Sequence, residues 1–351
     1  MDTNDVNKAP TASRRQVLGV AGAAALAVGA SQFGSMPKAA AQSSSAQTGT
    51  AFGPVRQIDA GVLNVGYVEA GPAGGTPVIL MHGFPYDIHS YVEMAPLLAA
   101  AGYRVIVPYF RGYGTTTFRS PKTPRDVDQV AFALDILALM DALKIQKAVL
   151  AGFDWCSRTG DIIAAVWPER CRALVSTSGY LITNLAANKL PLPAKLECAW
   201  WYQYYFSTER GELGLTQNRH DLGELMWKFN SPTWNFSAAT YEQTAAAFNN
   251  PDYVSIVIGN YRWRLGLAPS EPRYATIEKR LQQAPVIGVP TVTIDAAYDP
   301  FTAALDGAAY RDKFTGPYEH QVLQVGHNVP QEAPKAFADA VKRVDSFTRR
   351  R

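Results

Sequence analysis

The chain predicts an α/β fold: a mostly parallel sheet covered on both faces by helices, with a helical cap inserted late in the chain. Three observations carry this. Short runs rich in Val, Ile and Leu recur, each ending in a turn, and such continuous apolar runs suit parallel strands buried on both faces. Helical segments fall between them, for example Val127 to Leu143 and Asp161 to Val166, and that alternation marks crossover-linked strands. The alternation stops between about Asn184 and Pro285, where no convincing strand occurs and aromatic residues crowd segments of helical spacing.

The strands follow in order. "TPVILMHGFP" is the first, "YRVIVPYFRGYG" the second, "KAVLAGFDW" the third and "CRALVSTSGY" the fourth; "VPTVTIDAAYDP" and "HQVLQVGHN" complete the set. The interruption contains "ECAWWYQYYF", "LGELMWKFNSPTWNF" and "VIGNYRWRL". Roughly 100 residues of helix between two sheet strands read as a cap over the strand ends, where open parallel sheets bind ligands. The expected divisions are a core over 53–183 and 286–351 and a cap over 184–285.

The N-terminus stands apart. Arg14 and Arg15 precede an apolar stretch, Val17 to Ala30, and Ala39-Ala40-Ala41 offers a cleavage site. That layout predicts a twin-arginine export signal over residues 1–41, hence contact with the twin-arginine export machinery and a periplasmic or secreted location. The apolar stretch is short of the roughly 20 residues that span a bilayer. Residues 42–52 read as a flexible leader. The three cysteines, Cys156, Cys171 and Cys198, form no C-x-x-C pair, which argues against a disulfide framework. The net charge of +3 is spread along the chain, so no basic face suggests nucleic acid. No membrane span is expected after residue 41.

Five motifs carry the chemistry: "HGFP" (82–85), "RGYG" (111–114), "GFDWC" (152–156), "DAAYDP" (295–300) and "VGHNVPQEAP" (325–334). In this order, each at a strand end, they make residues 55–345 resemble the α/β-hydrolase fold, and within it the epoxide hydrolases and haloalkane dehalogenases. The resemblance implies that Asp154 is the nucleophile, His327 the base that activates water and Asp299 the acid behind it. Asp295, four residues earlier, competes with Asp299, and the family's Asp-Pro pattern favours Asp299. It further implies an oxyanion hole from the backbone N–H groups of Phe84 and Trp155, with His82, Trp155 and Gln203 beside the substrate. No cofactor or metal is implied.

An aspartate at the tip of such a turn has a chemical logic. A serine attacking an sp³ carbon would leave an ether, whereas a carboxylate leaves an ester that water can cleave. Asp154 therefore points to epoxides or alkyl halides, and G-x-S-x-G, the mark of ester hydrolases in this fold, is absent from the sequence. Helix capping by Asp154 alone would explain one residue of the pattern.

The cap decides between the two chemistries. "WYQYYFSTERGELGLTQN" and "GNYRW" resemble the cap segments of soluble epoxide hydrolases, which implies that Tyr202 and Tyr261 donate to the epoxide oxygen. Tyr204 and Tyr205 are rivals for the first role. Trp200, Trp201, Phe206, Trp227 and Trp234 read as packing or pocket wall, and an aromatic cap implies a small, largely apolar electrophile, with water as co-substrate. Two departures stand out: Phe153 replaces the usual histidine and Cys156 a glycine. Arg158 resembles an arginine that holds carboxylate in haloacid relatives, but those carry arginine directly after the nucleophile, where this chain has Trp155; Arg158 is expected to pair with Asp161. The expected function is opening of epoxides to diols, with dehalogenation as the alternative and a catalytically silent ligand-binding relative as a third reading.

Overall fold

The computed structural model describes residues 52–301 and 305–349. The export signal expected over residues 1–41, and all but the last residue of the leader, lie outside the described residues.

Nine strands form one sheet: β1 (Arg56–Ala60), β2 (Leu63–Ala70), β3 (Thr76–Met81), β4 (Tyr103–Pro108), β5 (Thr117–Phe118), β6 (Ala148–Gly152), β7 (Cys171–Thr177), β8 (Thr291–Ala296) and β9 (Tyr318–Leu323). Their order is β1-β2-β4-β3-β6-β7-β8-β9, with β5 paired to β2. From β4 to β9 every neighbouring pair is parallel. The six strands read from the sequence are β3, β4, β6, β7, β8 and β9; the inner residues of the first five are buried, β6 along its whole length, while β9, at the sheet edge, is only half-buried. The antiparallel margin of β1, β2 and β5 escaped the sequence reading, because it mixes polar with apolar residues and lacks a long Val/Ile/Leu run.

Three helices precede the interruption: α1 (Met94–Ala100), α2 (Gln129–Ala142) and α3 (Trp155–Val166). The interruption holds α4 (Ala194–Ala199), α5 (Trp201–Ser207), α6 (Glu209–Asn230), α7 (Ala238–Ala245), α8 (Tyr253–Arg264) and α9 (Ala275–Leu281). Two more follow β9: α10 (Val329–Glu332) and α11 (Pro334–Phe347). In the core, α1 packs beside α11 and α2 beside α3, each pair against the sheet. Helix α11 shows why: Phe337, Val341 and Val344 recur every three or four residues and are all buried.

Helix α3 begins at Trp155, six residues before the expected Asp161. Asp154 stands at the cap position in a left-handed backbone conformation (φ 56°), but its side chain makes no capping hydrogen bond. The cap region is helical and is tied to the core by buried polar contacts. The Trp227 indole donates to the Pro85 carbonyl at 2.7 Å, and Arg125 meets Asp252 at 2.9 Å. Among the described residues no helix is long and apolar enough to cross a membrane.

Candidate active site

Strand β6 ends at Gly152, and two residues later the chain turns sharply into α3. The turn leaves no room: a β-carbon on Gly152 would lie 2.8 Å from the Cys156 carbonyl, and one on Gly83 would lie 2.3 Å from the Asp154 side chain. A positive φ is unfavourable for aspartate, and holding it here lifts the carboxylate off the strand end, as in a nucleophile elbow. The Phe84 amide donates to Asp154 Oδ1 at 2.8 Å, and the Trp155 amide also favours the charged carboxylate.

His327 stands on the other side. Its Nε2 lies 3.3 Å from Asp154 Oδ2 and its Nδ1 2.7 Å from Asp299 Oδ2. The loop that carries it is pinned to the end of α6: the His327 amide donates to the Asn230 carbonyl at 3.1 Å. Burial opposes charge on this imidazole, but Asp299 and Asp154 outweigh it and push its pKa up to about 10. Burial likewise opposes charge on Asp154, yet the His327 contact and the two amides bring its pKa below the usual carboxylate range. In the free protein an ionised Asp154 thus faces a protonated His327, with Asp299 against the other ring nitrogen. Asp295 is excluded from it, since its Oδ1 accepts from the Tyr310 hydroxyl at 2.8 Å.

Phe153 and Cys156, where the sequence departs from the family pattern, both fit their places. The Phe153 ring packs 6.0 Å from the His327 ring and 4.9 Å from that of Tyr86. The Cys156 thiol points at the His82 carbonyl, and burial, then Asp154, raises its pKa far above the ordinary value. It is no nucleophile.

Across from Asp154 the cap presents aromatics. Tyr202, Gln203 and Phe206 form the buried face of α5, and Tyr204 falls on the opposite face, exposed and bonded to Glu197. Helical periodicity alone thus removes Tyr204 as a rival. Tyr205 is directed against α6, where its hydroxyl occupies the space beside Gly214. Tyr261, on α8, meets the Tyr202 ring edge to face at 5.4 Å and accepts from the Trp155 indole at 3.3 Å. Burial first, with Asp154 contributing, raises the pKa of both phenols, so they are neutral hydrogen-bond donors.

A cavity of about 450 Å³ reaches Asp154, His327, Tyr202 and Gln203. Three sequence expectations are corrected here. His82 does not line this cavity: it is fully buried, Nδ1 faces the Gly83 carbonyl and Nε2 accepts the Phe110 amide. Burial lowers its pKa to about 4, so the neutral ring braces the turn that carries the Phe84 amide. The Trp155 indole is also turned away from the cavity, toward Tyr261. Arg158 does not pair with Asp161. Asp161 Oδ2 accepts the Leu181 amide at 2.7 Å, while Arg158 lines the cavity with Nε on the Leu181 carbonyl at 3.1 Å. The sequence reading missed Arg264, Phe301 and Tyr310 on the cavity wall. Phe301 packs edge-on to His327 at 5.3 Å, and its place two residues after Asp299 was the available signal.

A family model described as the alpha/beta hydrolase fold matches residues 76–334. The chain is an alpha/beta hydrolase. A crystal structure of a candidate epoxide hydrolase from Klebsiella pneumoniae resembles it at 54% sequence identity and a TM-score of 0.83, covering 86% of this chain and all of that one. Epoxide hydrolase B of Mycobacterium tuberculosis is 32% identical over 42% of this chain and 44% of its own length. A haloalkane dehalogenase of Mycobacterium marinum is 34% identical over 37% of this chain and 43% of its own. The hydrolase therefore spans under half the length of these two relatives in the matched stretches. Its relatives make it an epoxide hydrolase-like alpha/beta hydrolase.

Proposed function

We propose that this hydrolase opens epoxides to vicinal diols through an alkyl-enzyme ester on Asp154. The observation that carries the reading is a half-buried, ionised carboxylate at the floor of a cavity whose cap side presents Tyr202, with Tyr261 packed directly behind it. An Asp154 oxygen attacks a ring carbon; the C–O bond of the epoxide breaks and its oxygen remains on the product. Neutral phenols suit that moment, because donors that tighten as negative charge grows stabilise the transition state more than the ground state.

The second half uses the acid–base chain. Forming the ester removes the charge of Asp154, one of the two carboxylates that hold the His327 proton. The imidazole pKa falls, its proton passes by way of the phenols to the epoxide oxygen, which becomes the hydroxyl of the ester intermediate, and Nε2 becomes a base for water. Water adds to the ester carbonyl, the Phe84 and Trp155 amides hold the resulting oxyanion, and collapse returns the Asp154 carboxylate with release of diol. Asp299 keeps the imidazole oriented throughout.

The test is single turnover in isotopically labelled water with styrene oxide. Diol formed in the first turnover should carry unlabelled oxygen from Asp154, and label should enter the product only in later turnovers. Label entering directly in the first turnover would remove the ester intermediate, and halide release from alkyl bromides without any diol from epoxides would move the assignment to a dehalogenase. We also propose export through the Arg14-Arg15 signal. Protein from its native host should then begin near Gln42, and an intact N-terminus in the cytosol would refute it.

A further inference from the structure

The cavity above Asp154 contains two guanidinium groups that no carboxylate neutralises among the described residues. Arg158 is only 7% exposed and hydrogen-bonds only through Nε, to a backbone carbonyl. Arg264 lines the same cavity, its Nε is buried without a partner, and its Cζ lies 5.7 Å from the centre of the Tyr261 ring. Burial and then the charge of Arg264 lower the Arg158 pKa to about 9, which leaves Arg158 charged at neutral pH.

The acidic groups on the cavity wall are engaged elsewhere. Asp154 is held by His327 and the Phe84 amide. Asp295 accepts from Tyr310 and faces His320 at 3.6 Å, and the exposed Asp306 accepts the Ala308 amide at 3.0 Å. Two like charges facing one partly buried cavity are unfavourable unless an anion joins them. The planar guanidinium matches a carboxylate in particular.

Both arginines lie about one helical turn from residues of the reaction. Arg158 follows Asp154 by one turn of α3, and Arg264 follows Tyr261 by about one turn of α8; a helical turn rises roughly 5.4 Å. Both arginines line the cavity that Asp154 and Tyr202 also line, so an anion joining them shares that space with an epoxide held between Asp154 and Tyr202. The rest of the wall, including Ile182, Trp200 and Phe301, suits an apolar body.

We propose that the substrate is an epoxide bearing a carboxylate near the oxirane ring, with Arg158 and Arg264 holding the carboxylate while Asp154 attacks the ring carbon. This rests on the epoxide-opening reading. The carboxylate takes no part in bond making or breaking. Its binding sets position and selectivity, and the two cations offset its repulsion by Asp154.

Two measurements on the full chain separate this inference from the reaction it rests on. The first is calorimetric titration with unreactive hydrocinnamate and its neutral amide. A charge-assisted contact predicts that the acid binds about tenfold to a hundredfold more tightly than the amide. Arg158→Met and Arg264→Met should each remove most of that preference, and Arg264→Lys should restore part of it. The acid binding no better than the amide to the wild type would overturn the proposal, whatever the variants do. The second compares kcat/KM for phenylglycidate and phenylglycidamide. The acid should be favoured, and the ratio, which is insensitive to partial loss of folded enzyme, should fall in both methionine variants. A ratio unchanged in both would show that other groups select the substrate. Preferential binding of hydrocinnamate without opening of either oxirane would uphold the anion site and refute the reaction.

Discussion

The two halves of the site are built by different physics. On the sheet side Asp154, His327 and Asp299 stand at or just beyond strand ends, fixed by backbone geometry and by hydrogen bonds of 2.7 to 3.3 Å. On the cap side Tyr202 and Tyr261 are fixed mainly by ring packing, edge to face with each other and against Phe84 and Phe206. The triad sits where the backbone can hold it rigidly; the neutral phenols sit where ring packing suffices. Burial explains the division, since an ionised carboxylate among the rings around Tyr202 and Tyr261 would need hydrogen-bond donors that rings do not supply.

The largest test of this contrast is on the sheet side. His327→Ala should lower turnover by about 10⁴-fold or more, because triad members act as a unit. It should also leave the ester stranded, so that intact-mass spectrometry shows the protein heavier by one substrate molecule. Loss of turnover with no adduct would place His327 before the alkylation step and undo the division of labour.

The cap side should respond less. A positioned proton donor contributes about 10²–10⁴-fold, so Tyr202→Phe or Tyr261→Phe should slow alkylation by epoxides by roughly 10²-fold in single-turnover assays. The double variant should lose less than the combined single effects imply, since one phenol partly covers for the other. Unequal effects would sharpen the comparison: Tyr202 opens on the cavity, whereas Tyr261 is almost fully buried and engaged by the Trp155 indole, so the Tyr202 variant should be the more damaged.

The smallest effect is on stability against pH. His327 has a folded pKa of about 10 against an ordinary value of 6.5. A raised folded pKa contributes stability that is complete below the unfolded value and is lost as pH rises through the folded one. The melting temperature of the wild type relative to His327→Gln should therefore be highest near or below pH 6.5 and decline toward about pH 10. A constant difference across that range would mean that Asp154 and Asp299 do not share their charge with this imidazole.

Much was legible without coordinates. Most of the strands announced themselves because a strand buried on both faces must be continuously apolar, and Asp154, Asp299 and His327 were read from the family resemblance that their motifs carry. The antiparallel margin was not legible, since its polar and apolar residues mix without a long run.

By itself, then, the sequence determined the layered fold and the order of the reactive groups, because strand burial and turn geometry are local consequences of residue type. Tertiary structure alone decided which side chains face the cavity. His82 resembled a substrate contact in its motif and became a neutral brace when the sheet closed over it. Arg158 was expected to pair within its helix, but its guanidinium shares the cavity with that of Arg264, more than a hundred residues away. Proximity along the chain says which groups could meet. The desolvation of every other group in the packed structure decides which of them do.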